Sequence, residues 1–360
     1  MAVRDWQHHL REQARTTLSG PLWEYVEHGA GAEVTLGEAG SAWSATRLWP
    51  KVLRDVTEVD LTTSVLGADA AVPWGVAPTS LQVAVHPEGD LAMARAAQRA
   101  GAVLTVSSNT GTRFEEIGEV GARWWLQVYL PADRTLAVPM LERAVAAGAE
   151  AVVLTVDTPV VGTWHPTGEQ IWDVVAPGSA RVNFDGALDG AHGAEKATDL
   201  GPHDLDWLRE TTGLPVVAKG VLRPDDAVRC VQAGARAVWV STHGGRQLDR
   251  SVSTATALPV VRAAVGDTCE VYVDGGLRGG LDVVTALASG ADLAFLGRLP
   301  LYALAGGAAS LDALHGHLRD EVVETLRLGG CRRPSEAGEL LAPTPQTVPA
   351  ADDAAPSDPL

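Results

Sequence analysis

The segment Ser241-Thr242-His243-Gly244-Gly245-Arg246 is the part of this chain best equipped for chemistry. Imidazole is the side chain that ordinarily titrates nearest neutral pH, so His243 can take up and return a proton. The two glycines behind it let the backbone turn closely around a bound group. Arg246 adds a planar fork of donors that matches a carboxylate. Asp157, in Leu154-Thr155-Val156-Asp157-Thr158-Pro159, can orient such a histidine and stabilise its charged form. The competing reading is an aspartate that caps the turn begun by Thr158-Pro159. Asp274-Gly275-Gly276-Leu277-Arg278 and Leu296-Gly297-Arg298 combine glycine amides with arginines, a donor set suited to a phosphate. Lys219 closes an apolar run. It reads either as a working cation or as one half of a structural ion pair, since Schiff-base chemistry would leave His243 and Arg246 without a task.

These residues need elements to hold them. Eight short runs rich in Val, Leu, Ala and aromatics lie at 71–77, 102–107, 124–129, 151–156, 215–219, 237–241, 270–274 and 293–297. Near-continuous apolar runs suit strands covered on both faces, as in a parallel sheet. Helical patterns follow at about 88–100, 133–147, 202–211, 224–233, 279–289 and 309–327. Gly101, Gly148, Gly234 and Gly290 each stand just before the next strand, where a helix C-cap belongs. Such a repeat predicts an α/β fold of the TIM (β/α)8 type. An open doubly wound sheet is disfavoured because no G-x-G-x-x-G follows the run at 71–77.

The expected layout is an N-terminal helical lead-in over 1–70, a barrel over 71–335 and a disordered Pro-, Ala- and Asp-rich tail over 336–360. Within the lead-in, Trp6, Leu10 and Gln13 start one helical stripe and Leu22 to His28 form a second. Residues 50–53 and 59–66 read as extended pieces. The long connection from 157 to about 201 follows strand four and falls over the C-terminal mouth, where barrel sites form. There Pro78, Thr79, Ser107, Asn109, Gln127, Tyr129, Thr155, Asp157, Lys219, Ser241, His243, Arg246, Asp274, Gly276, Gly297 and Arg298 share one rim.

Composition narrows the function classes. The formal net charge of −17 argues against nucleic acid as a partner, which requires a basic footprint. Hydrophobic residues make up 46% and charged residues 20%, ordinary for a globular chain, and no apolar run spans a membrane. The three cysteines show no metal-ligand spacing, and the charged N-terminal residues do not read as a signal peptide. A cytoplasmic protein with reduced thiols and no bound metal is expected.

Several strings together resemble the family of FMN-dependent α-hydroxy acid oxidases and dehydrogenases, which includes glycolate and lactate oxidases and mandelate dehydrogenase. They are Ala77-Pro78-Thr79, His86-Pro87-Glu88-Gly89, Leu154 to Pro159, Lys219-Gly220-Val221, His243-Gly244-Gly245-Arg246-Gln247-Leu248-Asp249 and Asp274-Gly275-Gly276. The resemblance covers about residues 15 to 335 and implies oxidation of a 2-hydroxy acid to a 2-oxo acid. It implies His243 as base, Asp157 as its partner and Arg246 on the substrate carboxylate. Tyr25 would contact that carboxylate from the N-terminal segment, and Tyr129 would lie near the hydroxyl. FMN would be held by Pro78, Thr79, Ser107, Gln127, Thr155, Ser241, Asp274, Gly276, Arg278, Gly297 and Arg298. Lys219 would neutralise charge on the reduced ring. A homotetramer or homo-octamer is implied in the same way.

The chain departs from that pattern in places. Trp164 stands where the family carries a second carboxylate-binding arginine, and His165 is the nearest residue able to compensate. Asn109 replaces a common aromatic or small apolar residue, and Thr242 replaces an asparagine. Trp74, Trp124, Trp125, Trp164 and Trp172 make the mouth tryptophan-rich, with Trp164 expected in the pocket. The expected substrate is therefore a larger or aromatic hydroxy acid or a specialised biosynthetic acid, with O2 as acceptor. Alternatives are another electron acceptor, a modified carboxylate, a redox-neutral FMN barrel such as an isopentenyl diphosphate isomerase, and a silent flavin-binding protein. The redox-neutral enzyme would need a diphosphate pocket, and the silent protein would have no use for His243, Asp157, Arg246, Tyr25 and Tyr129 together.

Overall fold

Apolar runs flanked by helices become strands buried on both faces, and eight of them close into a parallel barrel. In this computed structural model, which describes residues 6–165, 168–176 and 179–343, the barrel strands are β1 (Trp74–Val76), β2 (Val103–Ser107), β3 (Trp124–Val128), β4 (Val152–Thr155), β5 (Val216–Val221), β6 (Ala237–Val240), β7 (Glu270–Val273) and β8 (Leu293–Leu296). Neighbours in sequence pair in parallel, and β8 pairs with both β7 and β1, which closes the ring. Each strand lies within one of the expected apolar runs, except that β5 continues two residues further to Val221.

The barrel interior is packed rather than hollow. Trp125, Trp239, Tyr272 and Phe295 fill it, with Trp239 stacked on Phe295 at 3.8 Å. Gly75 makes room for this layer: a Cβ there would lie 2.5 Å from the Phe295 ring. Below, a hairpin of Thr63–Val65 and Ala68–Ala70 adds Val65 and Ala70 to the same buried cluster. Of the extended pieces expected in the lead-in, only this one forms a strand; residues 50–53 hold none. A closed floor leaves the C-terminal mouth as the place for a ligand.

The expected glycine caps are present. Gly101, Gly148, Gly234 and Gly290 have φ of +70°, +85°, +86° and +105°, the left-handed turn that ends a helix and starts the next strand. The lead-in folds as α1 (Trp6–Thr17), α2 (Gly20–Glu27) and α3 (Val34–Ala45). Helix α3 was not expected, nor were the helices Thr254–Val265 and Arg298–Ala305. Two glycines interrupt the first, and Pro259 and Pro300 mask the others, yet packing onto the barrel overrides local propensity.

The connection after β4 is docked rather than loose. Asp185 pairs with Arg113 and Arg143, and Asn183 accepts from Phe114 N and donates to Thr112 O. Chain order also extends past the expected tail boundary. A 3-10 helix over Pro334–Leu340 buries Ala337 and Leu340, and Leu341 bridges to Leu48. The rest of the tail, 344–360, lies outside the described residues. No helix among the described residues is long and apolar enough to cross a membrane.

Candidate active site

The mouth of the barrel holds a cavity of about 880 Å³. Among its lining residues are Tyr25, Asn109, Tyr129, Trp164, Lys219, His243, Arg246, Asp274, Gly276, Arg278 and Arg298, with Pro78, Thr79, Ser107, Gln127, Thr155 and Gly297 around the rim. Phe295, the top of the packed interior, forms part of its floor. Asp157, Ser241 and His165 are absent from the lining, for three different reasons given below.

His243 follows β6 in a turn built from left-handed residues. Its own φ is +56°, and Gly244 and Gly245 follow at +66° and +76°. That conformation is strained for a histidine, so the surroundings must hold it. Ser241 Oγ accepts from His243 N at 3.0 Å, and Ala30 N donates to Gly245 O at 2.8 Å. Helix α3 lies so close that a Cβ on Gly245 would stand 2.8 Å from Leu36 N.

Asp157 sits behind the imidazole, with Oδ1 3.1 Å from His243 Nδ1. Thr158 Oγ1 donates to the same oxygen at 2.9 Å. Burial pushes the Asp157 carboxyl up, but the imidazole, Lys219 and Thr158 outweigh it and hold the group below its ordinary value. An ionised Asp157 accepts the Nδ1 proton, so the Nε2 lone pair is left on the cavity side. There Nε2 lies 3.3 Å from Tyr129 Oη. Burial raises the Tyr129 phenol far above its usual range, helped by Asp157, so it stays a protonated donor.

The rim is a chain of buried polar groups. Ser107 Oγ donates to Gln127 Oε1 at 3.0 Å, and Gln127 Nε2 donates to Thr155 Oγ1 at 2.9 Å. Farther round, Lys219 Nζ is 2.9 Å from both Ser241 Oγ and Asp274 Oδ2, and Ser241 donates to Asp274 Oδ1 at 2.6 Å. Lys219 thus has a carboxylate partner and also lines the cavity. Ser241 is fully buried and braces Lys219, Asp274 and the His243 backbone from behind the wall.

Beyond β7 and β8 the cavity ends on backbone donors. The helix Arg298–Ala305 begins there without a side-chain cap, so its first N–H groups lack protein acceptors from that source. Gly276, at φ +84°, passes so near α3 that a Cβ would lie 2.4 Å from Ala39 O. Arg298 lines the cavity and is also tied into the fold. Its guanidinium donates to Val26 O, Gly244 O and His28 O at 2.8–2.9 Å, which ties α2 to the histidine turn. Burial and the nearby Arg246 lower it to about 10, still charged at neutral pH. A polar rim with a buried lysine, leading to an uncapped helix end and tight glycines, fits a flat heterocycle that carries a phosphate. FMN has that chemistry.

The carboxylate end is built around Arg246. Nη1 donates to Tyr25 O at 2.7 Å, and the guanidinium lies 4.7 Å from the Tyr25 ring centroid. Among the described residues all its side-chain hydrogen bonds run through Nη1, leaving Nη2 and Nε for a ligand. Trp164 stacks on His28 at 4.0 Å. Burial and the Arg246 charge bring His28 down to about 4, so this wall is neutral at pH 7. His165 is exposed and outside the cavity, because Trp164 takes the inward place; it cannot compensate for the missing arginine. Asn109 Oδ1 accepts from Arg181 Nε at 3.1 Å, which joins the rim to the long connection. Trp74, Trp124 and Trp125 are core residues, and the Trp172 side chain lies outside the described residues.

Sequence reasoning missed three residues here. Thr158 adjoins Asp157 within a string already singled out, and His28 follows Tyr25 at helical i,i+3 spacing. Lys196, which stands 4.3 Å over the Tyr129 ring, lies in an aperiodic stretch with no local signal.

Comparison with known proteins agrees with this geometry. A family model described as FMN-dependent dehydrogenase matches residues 14–342. The chain is 40% identical over 337 residues to an L-lactate oxidase from a Nostoc strain, covering 88% of this chain and 92% of that protein. It is 36% identical over 348 residues to a 4-hydroxymandelate oxidase from Amycolatopsis orientalis, covering 92% and 96%. A crystal structure of mandelate oxidase with benzoyl-formic acid superposes with a TM-score of 0.84 at 37% identity, covering 93% of this chain and 97% of that one.

Proposed function

The chain belongs to the FMN-dependent α-hydroxy acid oxidase and dehydrogenase family, whose reaction converts a 2-hydroxy acid to a 2-oxo acid, and we propose that its own substrate is a large or aromatic 2-hydroxy acid. The observation that carries this reading is Trp164. It replaces an expected cation with an indole that stacks on a neutral His28 beside Arg246, so the wall next to Arg246 is broad and aromatic rather than cationic.

The residues divide the work. Arg246 binds the substrate carboxylate through Nη2 and Nε while Nη1 stays on the Tyr25 carbonyl. Tyr25 packs against that guanidinium and shapes the entrance. Tyr129 donates toward the substrate oxygen, and its 3.3 Å contact with His243 Nε2 places that oxygen near the base. His243 Nε2 takes the proton that the oxidation releases. Asp157 stabilises the imidazolium so formed, with Thr158 fixing its Oδ1. Bound FMN supplies the two-electron acceptor. Pro78, Thr79, Ser107, Gln127 and Thr155 on the polar rim, with Asp274, Gly276, Arg278 and the Gly297–Arg298 amides at the glycine-rich end, would hold it. Lys219 would supply a positive charge to that site. O2 as the final acceptor is supported by the lactate and 4-hydroxymandelate oxidases among the relatives.

A panel of glycolate, lactate, mandelate and 4-hydroxymandelate, assayed by O2 uptake, tests the substrate class. Mandelate-type acids should give kcat/KM at least ~10-fold above lactate, and Trp164→Ala should narrow that gap, since an aromatic contact contributes about 1 kcal/mol or more. A preference for glycolate or lactate that Trp164→Ala leaves unchanged would overturn the reading.

A further inference from the structure

Seven cationic side chains line the cavity: Arg113, Arg181, Lys196, Lys219, Arg246, Arg278 and Arg298. Among the described residues every one except Lys196 has a hydrogen bond or ion pair. Lys196 is half-buried, with no carboxylate or carbonyl on its Nζ.

The position is built, not incidental. An antiparallel bridge pins Lys196 to Pro131, with Ala132 N donating to Glu195 O at 2.7 Å and Ala197 N to Leu130 O at 2.9 Å. That bridge joins the long connection to the segment that leaves β3 through Tyr129. Nζ therefore stands over the ring whose hydroxyl meets the catalytic base. Strand β3 lies across the barrel from β7, so the cation is far from the glycine-rich end fitted to a phosphate. A half-buried ammonium whose one close contact is an aromatic face still lacks a counter-ion. Burial draws it down to about 8, against only the distant pull of Asp157.

We propose that Lys196 is the second cation of the carboxylate site, supplied from the long connection in place of the arginine that Trp164 displaces. The inference rests on the reading that the pocket takes a 2-hydroxy carboxylate. It adds a residue that determines which acids are held: a flexible stem approaching over Tyr129 suits a carboxylate placed differently from one gripped by two fixed arginines. A purely structural lysine would contribute only its contact with the Tyr129 ring.

The test is ligand binding to the FMN-loaded protein, read from the flavin absorbance change, with no turnover involved. Pyruvate, benzoylformate and the neutral benzoylformamide are titrated into wild type, Lys196→Met and Lys196→Arg. Lys196→Met should weaken binding of the acids about tenfold and change the amide by less than about twofold, while Lys196→Arg keeps most of the acid affinity. Acid affinity unchanged in Lys196→Met, or an equal loss for acid and amide, would overturn the proposal. Thermal midpoints of the variants separate either result from misfolding. If wild type binds neither acid, the carboxylate reading itself fails, and that outcome is distinct from an acid-binding site indifferent to Lys196.

Discussion

Replacing Asp157 with Asn isolates the charge behind the base, because the amide oxygen can still accept the Nδ1 proton. The carboxylate lies 3.1 Å from Nδ1, and its side chain is only 14% exposed. Taking the two charge centres as about 4 Å apart, the attraction to an imidazolium is roughly 4 kcal/mol at an effective dielectric constant near 20. Asn retains the hydrogen bond and avoids the burial cost of the anion, so about 3 kcal/mol of transition-state stabilisation should be lost. That corresponds to a fall in kcat on the order of 10²–10³. The assay is single-turnover flavin reduction under anaerobic conditions at saturating acid, with the flavin spectrum and thermal midpoint as controls. Thr158→Val, which removes one hydrogen bond to the same oxygen, should lose roughly tenfold. An Asp157→Asn protein that reduces its flavin within tenfold of wild type, with FMN bound, would refute the assignment of Asp157 as the stabilising charge.

Two further outcomes follow from the packing. Gly276→Ala places a methyl group 2.4 Å from Ala39 O at a φ of +84°, so it should destabilise the fold by about 2 kcal/mol or more and reduce FMN content; wild-type denaturation and full FMN occupancy would contradict the close approach. His315, buried and accepting from Trp74 Nε1 at 3.2 Å, is lowered by burial from 6.5 to about 4. The unfolded chain therefore binds more protons in that window, so stability is full above 6.5 and falls by about 3 kcal/mol as pH drops through 4. Denaturant titrations at pH 7 and 4.5 should show most of that loss, about 2 kcal/mol, in wild type and a smaller one in His315→Gln; equal losses would show that His315 does not carry it.

The barrel was legible because its strands are buried on both faces, so their apolar runs have nearly the same bounds as the strands. The glycines at 101, 148, 234 and 290 marked helix ends for a local reason, the positive φ that each adopts. His243, Asp157, Tyr129 and Arg246 were legible because each adjoins a strand end, and the barrel brings all strand ends to one rim. Lys196 was not, since an aperiodic connection carries it and a bridge to Pro131 fixes it in place. The bracing contacts of Arg298 with carbonyls at the end of α2 and in the histidine turn were not legible either, because those partners are remote in sequence. His165 misled for a simpler reason: adjacency to Trp164 says nothing of which of the two faces inward.

Every other role proposed in the pocket depends on His243 being the base of an FMN-dependent 2-hydroxy acid oxidation. Anaerobic mixing of the purified protein with mandelate and 4-hydroxymandelate, followed at ~450 nm where oxidised flavin absorbs, tests it most directly. Wild type should bleach and His243→Ala should not on the same timescale, with FMN still bound in both. Bleaching of His243→Ala at near the wild-type rate would contradict it.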